Sequence, residues 1–65
     1  MWKVVYIAQN KEAMKRAKLL LEKNGFLVQV KEVKSGAKNS TSELCVPVSE
    51  AEEAYELIYN NMTNI

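Results

Sequence analysis

Trp2–Ala8 (Trp-Lys-Val-Val-Tyr-Ile-Ala) is the stretch that most limits what this chain can fold into. Its aromatic and β-branched residues suit an extended strand. Strand side chains alternate between faces, so regular spacing puts Trp2, Val4, Tyr6 and Ala8 on one face and Lys3, Val5 and Ile7 on the other. Both faces are mostly apolar, the pattern of a strand covered on both sides. A chain of 65 residues has only enough helix to cover one of them. The other is left for something else to cover.

The segments that follow supply the covering layer. Asn10 is a helix N-cap, with Glu12 in the first turn, where a carboxylate favours the helix dipole. Residues 11–24 are mostly strong helix formers. Ala13, Ala17, Leu20, Leu21 and Asn24 form one stripe with Met14 beside it, while Leu19 lies off it as a flank contact. Gly25 stops the helix. Residues 26–33 alternate as a half-buried strand, with Phe26, Val28 and Val30 on one side. Residues 34–41 have no apolar period and read as a long, mobile hairpin loop. Residues 42–48 form a third strand with Leu44, Val46 and Val48 on one face. Pro47 must end it or sit where no ladder bond is needed. Ser49 and Glu52 form a capping box for a second helix, whose stripe is Ala51, Ala54, Tyr55, Ile58 and Met62, with Leu57 alongside.

The order β-α-β-β-α predicts a single α+β domain over residues 1–65. A right-handed crossover and a hairpin give a three-stranded antiparallel sheet of order 1-3-2 with two helices on one face. This two-layer sandwich is a ferredoxin-like fold without its last strand. The first strand then keeps an open edge, a template for self-association. The expected core is Val28, Val30, Leu44, Val46, Ala17, Leu20, Leu21, Ala54, Tyr55 and Ile58, with one face of the first strand.

Composition removes several chemistries. The chain has one cysteine, no histidine and no aspartate. It can form no internal disulfide, and a structural zinc site would need about four Cys or His ligands. No run approaches the roughly 18 apolar residues of a membrane helix. The N-terminus lacks a basic leader and a small-residue cleavage site, so a reducing cytoplasm is expected. Net charge is +1, but residues 1–38 carry +6 and residues 39–65 carry −5. Dipoles and solubility explain such a split; a basic face for an anionic partner is the sharper reading.

Each candidate site has a plain structural alternative. Lys11, Lys15 and Lys18 share a helix flank, with Arg16 and Lys23 near. Lys11, Lys15, Lys18, Lys34 and Lys38 are the candidate residues for a small anionic ligand or a protein partner. Weak nucleic-acid binding through the same flank is the second reading, although no aromatic stacking pair accompanies the lysines. A solvated helix face is the plain one. The single glycine in Ser35-Gly36-Ala37-Lys38-Asn39-Ser40-Thr41 is too little for a phosphate loop, and strands flank it. Cys45 has no histidine to activate it and reads as a packed strand residue. Four of the five late glutamates cluster at a helix start, where the dipole accounts for them. No catalytic residue, metal or cofactor is expected. Trp2, Val5 and Ile7 are the candidate self-association residues, through a homodimer built on the first strand.

The residues Trp2, Val5, Tyr6, Ala8 and Asn10, then Glu12-Ala13 opening a helix, then Leu20-Leu21-Glu22 and Gly25-Phe26, resemble a small bacterial family of prokaryotic signal-transducing proteins. Val46-Pro47, Ser49, Glu52 and Ala54 match its last strand and helix, so the resemblance covers nearly the whole chain. The family looks like a trimmed PII-type regulatory fold, which is ferredoxin-like. The resemblance implies a regulatory or ligand-sensing module, with residues 34–41 in the place of the PII signalling loop. The basic and glycine-rich segments by which PII proteins hold nucleotide between subunits have no match here. Some short relatives carry the label glutamate decarboxylase, but 65 residues cannot build a pyridoxal-phosphate pocket.

Overall fold

A computed structural model of the chain describes residues 1–34 and 40–62. The elements are β1 (Trp2–Ala8), α1 (Lys11–Lys23), β2 (Gln29–Lys34), β3 (Ser40–Pro47), a 3₁₀ turn (Val48–Glu50) and α2 (Ala51–Met62). The sheet is antiparallel with order β1-β3-β2, as expected. Both helices pack on β1 and β3 and touch each other, so they form one layer on one face. The shortest dimension, 15 Å, is that of two layers.

Local chemistry sets the ends of α1. The Asn10 side chain accepts a hydrogen bond from the Ala13 N–H at 2.8 Å. At the other end the Phe26 N–H donates to the Leu21 carbonyl and the Gly25 N–H to that of Glu22, at 3.0 and 3.1 Å. These two bonds make a Schellman motif. Gly25 has φ +87°, which side-chain-bearing residues adopt only at a cost. Phe26 packs against the core that contains Leu21 and so belongs to the helix stop rather than to a strand. The second strand therefore begins at Gln29, not at 26.

At the hairpin the ladder runs further than expected. Val33 pairs with Thr41 and Lys34 with Ser40, which shortens the expected 34–41 loop from both sides. The remainder of that loop, with Lys38, lies outside the described residues.

Register explains Pro47. It stands opposite Trp2, and the Val48 N–H donates to the Met1 carbonyl at 2.9 Å. That bond flanks a pair whose own peptide groups turn away from each other. The missing N–H of Pro47 therefore faces the β2 side, where the ladder has already stopped at Gln29 opposite Cys45. Pro47 also takes the N-cap position of the 3₁₀ turn. Ser49 lies inside the turn, and the expected capping box does not open the helix.

The core is Val5, Ala8, Ala17, Leu21, Leu44, Val46, Ala51, Ala54 and Ile58. Four of these nine are alanines, which let the helices lie close on the sheet. Tyr6, Ala13, Met14, Leu20, Phe26, Val28, Val30 and Leu57 border it. Tyr55, expected in the core, is 57% exposed and stacks on Tyr59 with ring centroids 6.4 Å apart. The reason is its position: α2 overlies β1, the last strand on that side, and no described residue lies beyond it to cover the outer flank of the helix.

Candidate functional site

The two apolar faces of β1 are resolved by a β-bulge. Val4 pairs with Cys45 and Tyr6 with Leu44, leaving Val5 as the extra residue. A bulge shifts the phase of side-chain alternation by one. Lys3 and Val5 before it, and Tyr6 and Ala8 after it, all point to the helix side, as do their partners Ser42, Leu44 and Val46. Trp2, Val4 and Ile7 share the opposite, uncovered face. The burial pattern agrees: Val5 and Ala8 are buried, while Trp2, Val4 and Ile7 are exposed.

This corrects one candidate. Trp2 and Ile7 are exposed on the uncovered face, but Val5 is core, and Val4 is exposed in its stead. A regular alternation could not reveal this. The only sign was that neither regular face of the strand was polar.

Beside the open edge of β1 runs a groove of about 550 Å³, lined by Lys3, Val4, Val5, Val48, Ala51, Glu52 and Tyr55. Its lining mixes apolar side chains with one cation on the strand side and one carboxylate on the helix side. A fourth strand added next to β1 would put its helix-facing side chains into this groove. Glu53 and Glu56 face the other flank of α2, with Asn24 and Phe26. Sequence reasoning missed Lys3, Val48, Ala51 and Glu52 as a group because nothing local links β1 to the start of α2.

The candidate lysines lie apart from this groove. Ala8 and Glu32 both pair with Ser42, so the start of α1 and the β2–β3 hairpin lie at the same end of the sheet. Lys11 and the Lys34 backbone therefore share that end. Lys15 and Lys18 run down the helix, Lys18 about 10 Å from Lys11 along its axis. The Lys18 Nζ lies 3.4 Å from a Glu22 carboxylate oxygen, with both side chains over 40% exposed. Such an exposed pair contributes little, about 0–0.5 kcal/mol.

Cys45 is a buried free thiol on the uncovered side of the central strand, between Val4 and Gln29. Neither neighbour is a base or a cation. The 3₁₀ turn buries Oε1 of Glu50, to which no described residue donates a hydrogen bond. Among the described residues no cluster of three or more metal-ligating side chains forms, and no helix is long and apolar enough to cross a membrane. Comparison of the chain with protein-family models, with curated proteins and with solved structures returns no match.

Proposed function

We propose that this chain is a small regulatory or interaction module that acts by binding a protein partner along β1 rather than by catalysis. One observation carries the reading: an apolar strand whose outer edge has no neighbour among the described residues is flanked by a groove and an uncovered apolar face. An unpaired strand edge offers a row of backbone donors and acceptors, and adjacent pockets give side-chain selectivity. Trp2, Val4 and Ile7 on one side and Val5, Ala51 and Tyr55 on the other form those surfaces. The resemblance to signal-transducing proteins supports the same class of function. The free Cys45 fits a cytoplasmic setting.

The basic end of α1, with Lys11 and, further along the helix, Lys15 and Lys18, favours a second reading, a small anionic ligand, for which Lys34 and Lys38 are candidates by sequence. Among the described residues Lys15 and Lys18 line a shallow groove with Leu19 and Glu22. The nucleic-acid reading rests on the same lysines and lacks exposed aromatics beside them.

Amide shifts under titration separate these readings. An extended peptide copying residues 2–8 is expected to move β1 and residues 48–55. Inorganic phosphate is expected to move residues 11–18 if the basic end is the site. If β1 and residues 48–55 respond neither to the peptide nor to the protein's own concentration, the β1 reading fails.

A further inference from the structure

We infer that the occupant of the open β1 edge is a second copy of this chain, joined about a twofold axis near Val4 so that two three-stranded sheets become one of six strands. This rests on the interaction reading above and names its partner.

Three observations on β1 carry the inference. The first is its direction of bonding. Trp2 and Val4 turn their peptide groups outward, because the Val48 N–H bond to Met1 fixes the phase of the ladder. The bulge moves the next outward residue from position 6 to Ile7. The outward set 2, 4, 7 has Val4 in its interior. An antiparallel copy centred there sets Val4 against Val4, Trp2 against Ile7 of the second copy, and Ile7 against its Trp2. These are the three exposed apolar residues of the strand, and all of them then meet apolar partners. Cross-strand aromatic–β-branched pairs of this kind are favourable.

The second is charge. Lys3 is the only charged residue of β1, and it points to the helix side. Centring on Val4 sets Lys3 beside Val5 of the second copy, at the mouth of a groove that holds Glu52 of that copy. Each copy supplies one cation and receives one carboxylate. A register centred on Lys3 would instead place two ammonium groups face to face. Glu53 and Glu56 lie on the far flank of α2 and bring no like charges to the seam.

The third is area. A standard interface takes about 800 Å² from each partner, roughly a sixth of this chain's 4967 Å². Toward that area the edge offers the exposed residues Trp2, Val4 and Ile7 on its uncovered side and Val48 and Tyr55 on its helix side. The groove that β1 leaves open on its own chain is the space the helix-facing side of the second β1 would enter.

The test is the oligomeric state of the full chain, by sedimentation or light scattering, up to about 1 mM. The expected result is a reversible dimer of twice the 7.4 kDa chain mass. Val4→Arg is expected to weaken it at least severalfold, because the twofold axis sets two like charges directly opposite each other across the seam. Lys3→Glu weakens it severalfold, and Lys3→Glu with Glu52→Lys restores it. Lys31→Glu, on the other edge strand, leaves it unchanged. An amide spectrum of each variant confirms that the fold persists; Val4 is exposed, so replacing it does not enter the core. A monomer at 1 mM overturns the inference, and so does a dimer indifferent to Val4→Arg. A monomer whose β1 amides shift with the 2–8 peptide overturns the second copy as occupant but leaves the interaction reading standing. A monomer with no such shift ends both.

Discussion

The sheet has two edge strands, and they are built on opposite plans. β2 (Gln-Val-Lys-Glu-Val-Lys) carries three charges in six residues, with Lys31 and Glu32 exposed. Charged side chains on an edge discourage another strand from docking. β1 has one charge in seven residues, and its uncovered side is Trp2, Val4 and Ile7. Its one protective feature is the bulge at Val5, which breaks the regular spacing of its edge. Both strands hang from the same central strand, so the difference does not come from the core. One edge is closed by its own chemistry; the other is left open, and a strand pairing along it would have to match a bulge. That is a restriction on which strand can bind.

Breaking what the edges share gives the largest effect. Leu44 is fully buried in β3 and pairs with both Tyr6 and Val30. Leu44→Ala is expected to cost about 3 kcal/mol. A domain of this size holds roughly 3–10 kcal/mol in all, so denaturant melts should show a large unfolded fraction before the transition. Both edges should lose hydrogen-exchange protection together.

The bulge is tested by two neighbouring valines. Val5→Ala should cost about 2 kcal/mol, while Val4→Ala should change monomer stability by less than about 0.5 kcal/mol. Equal effects in denaturant melts would mean that the phase of β1 is regular after all. Comparable but smaller is the loss of a cap remote from both edges: Asn10→Ala should cost about 1 kcal/mol, seen as a lower denaturation midpoint with an unchanged slope.

Opening the closed edge sharpens the contrast further. Lys31→Val should leave stability within about 0.5 kcal/mol of the parent but raise light scattering at high concentration, because it removes a blocking charge from β2. The smallest effect belongs to the exposed ion pair. Lys18→Ala should shift stability by no more than about 0.5 kcal/mol, and added salt should erase the difference.

The sequence made much of this legible because many of its signals act within one turn or one hairpin. Asn10 caps a donor three residues on, and Gly25 takes a backbone angle that other residues resist. Leu44 and Val46 alternate with Glu43 and Cys45. From those features follow the element order, the 1-3-2 sheet and the shared face of the helices. Other boundaries moved for reasons that are also local but compete. Phe26 has the pattern of a strand residue and is used to finish the Schellman stop. Ser49 and Glu52 have the spacing of a capping box, yet Pro47 starts the helical turn earlier with its fixed φ.

What sequence alone determined is therefore the set of elements, their order and the excess of apolar side chains on the first strand. The tertiary structure decided which of those side chains are spare. Val4 and Val5 are chemically identical neighbours, and only the pairing of β1 with β3 sends one to the core and the other outward. Tyr55 fits a buried stripe by spacing and is exposed because, among the described residues, no strand lies beyond β1. The groove joins Lys3 to Glu52 across nearly fifty residues of chain. Burial is a property of what packs against a residue, and for these positions the neighbour, or its absence, comes from elsewhere in the chain.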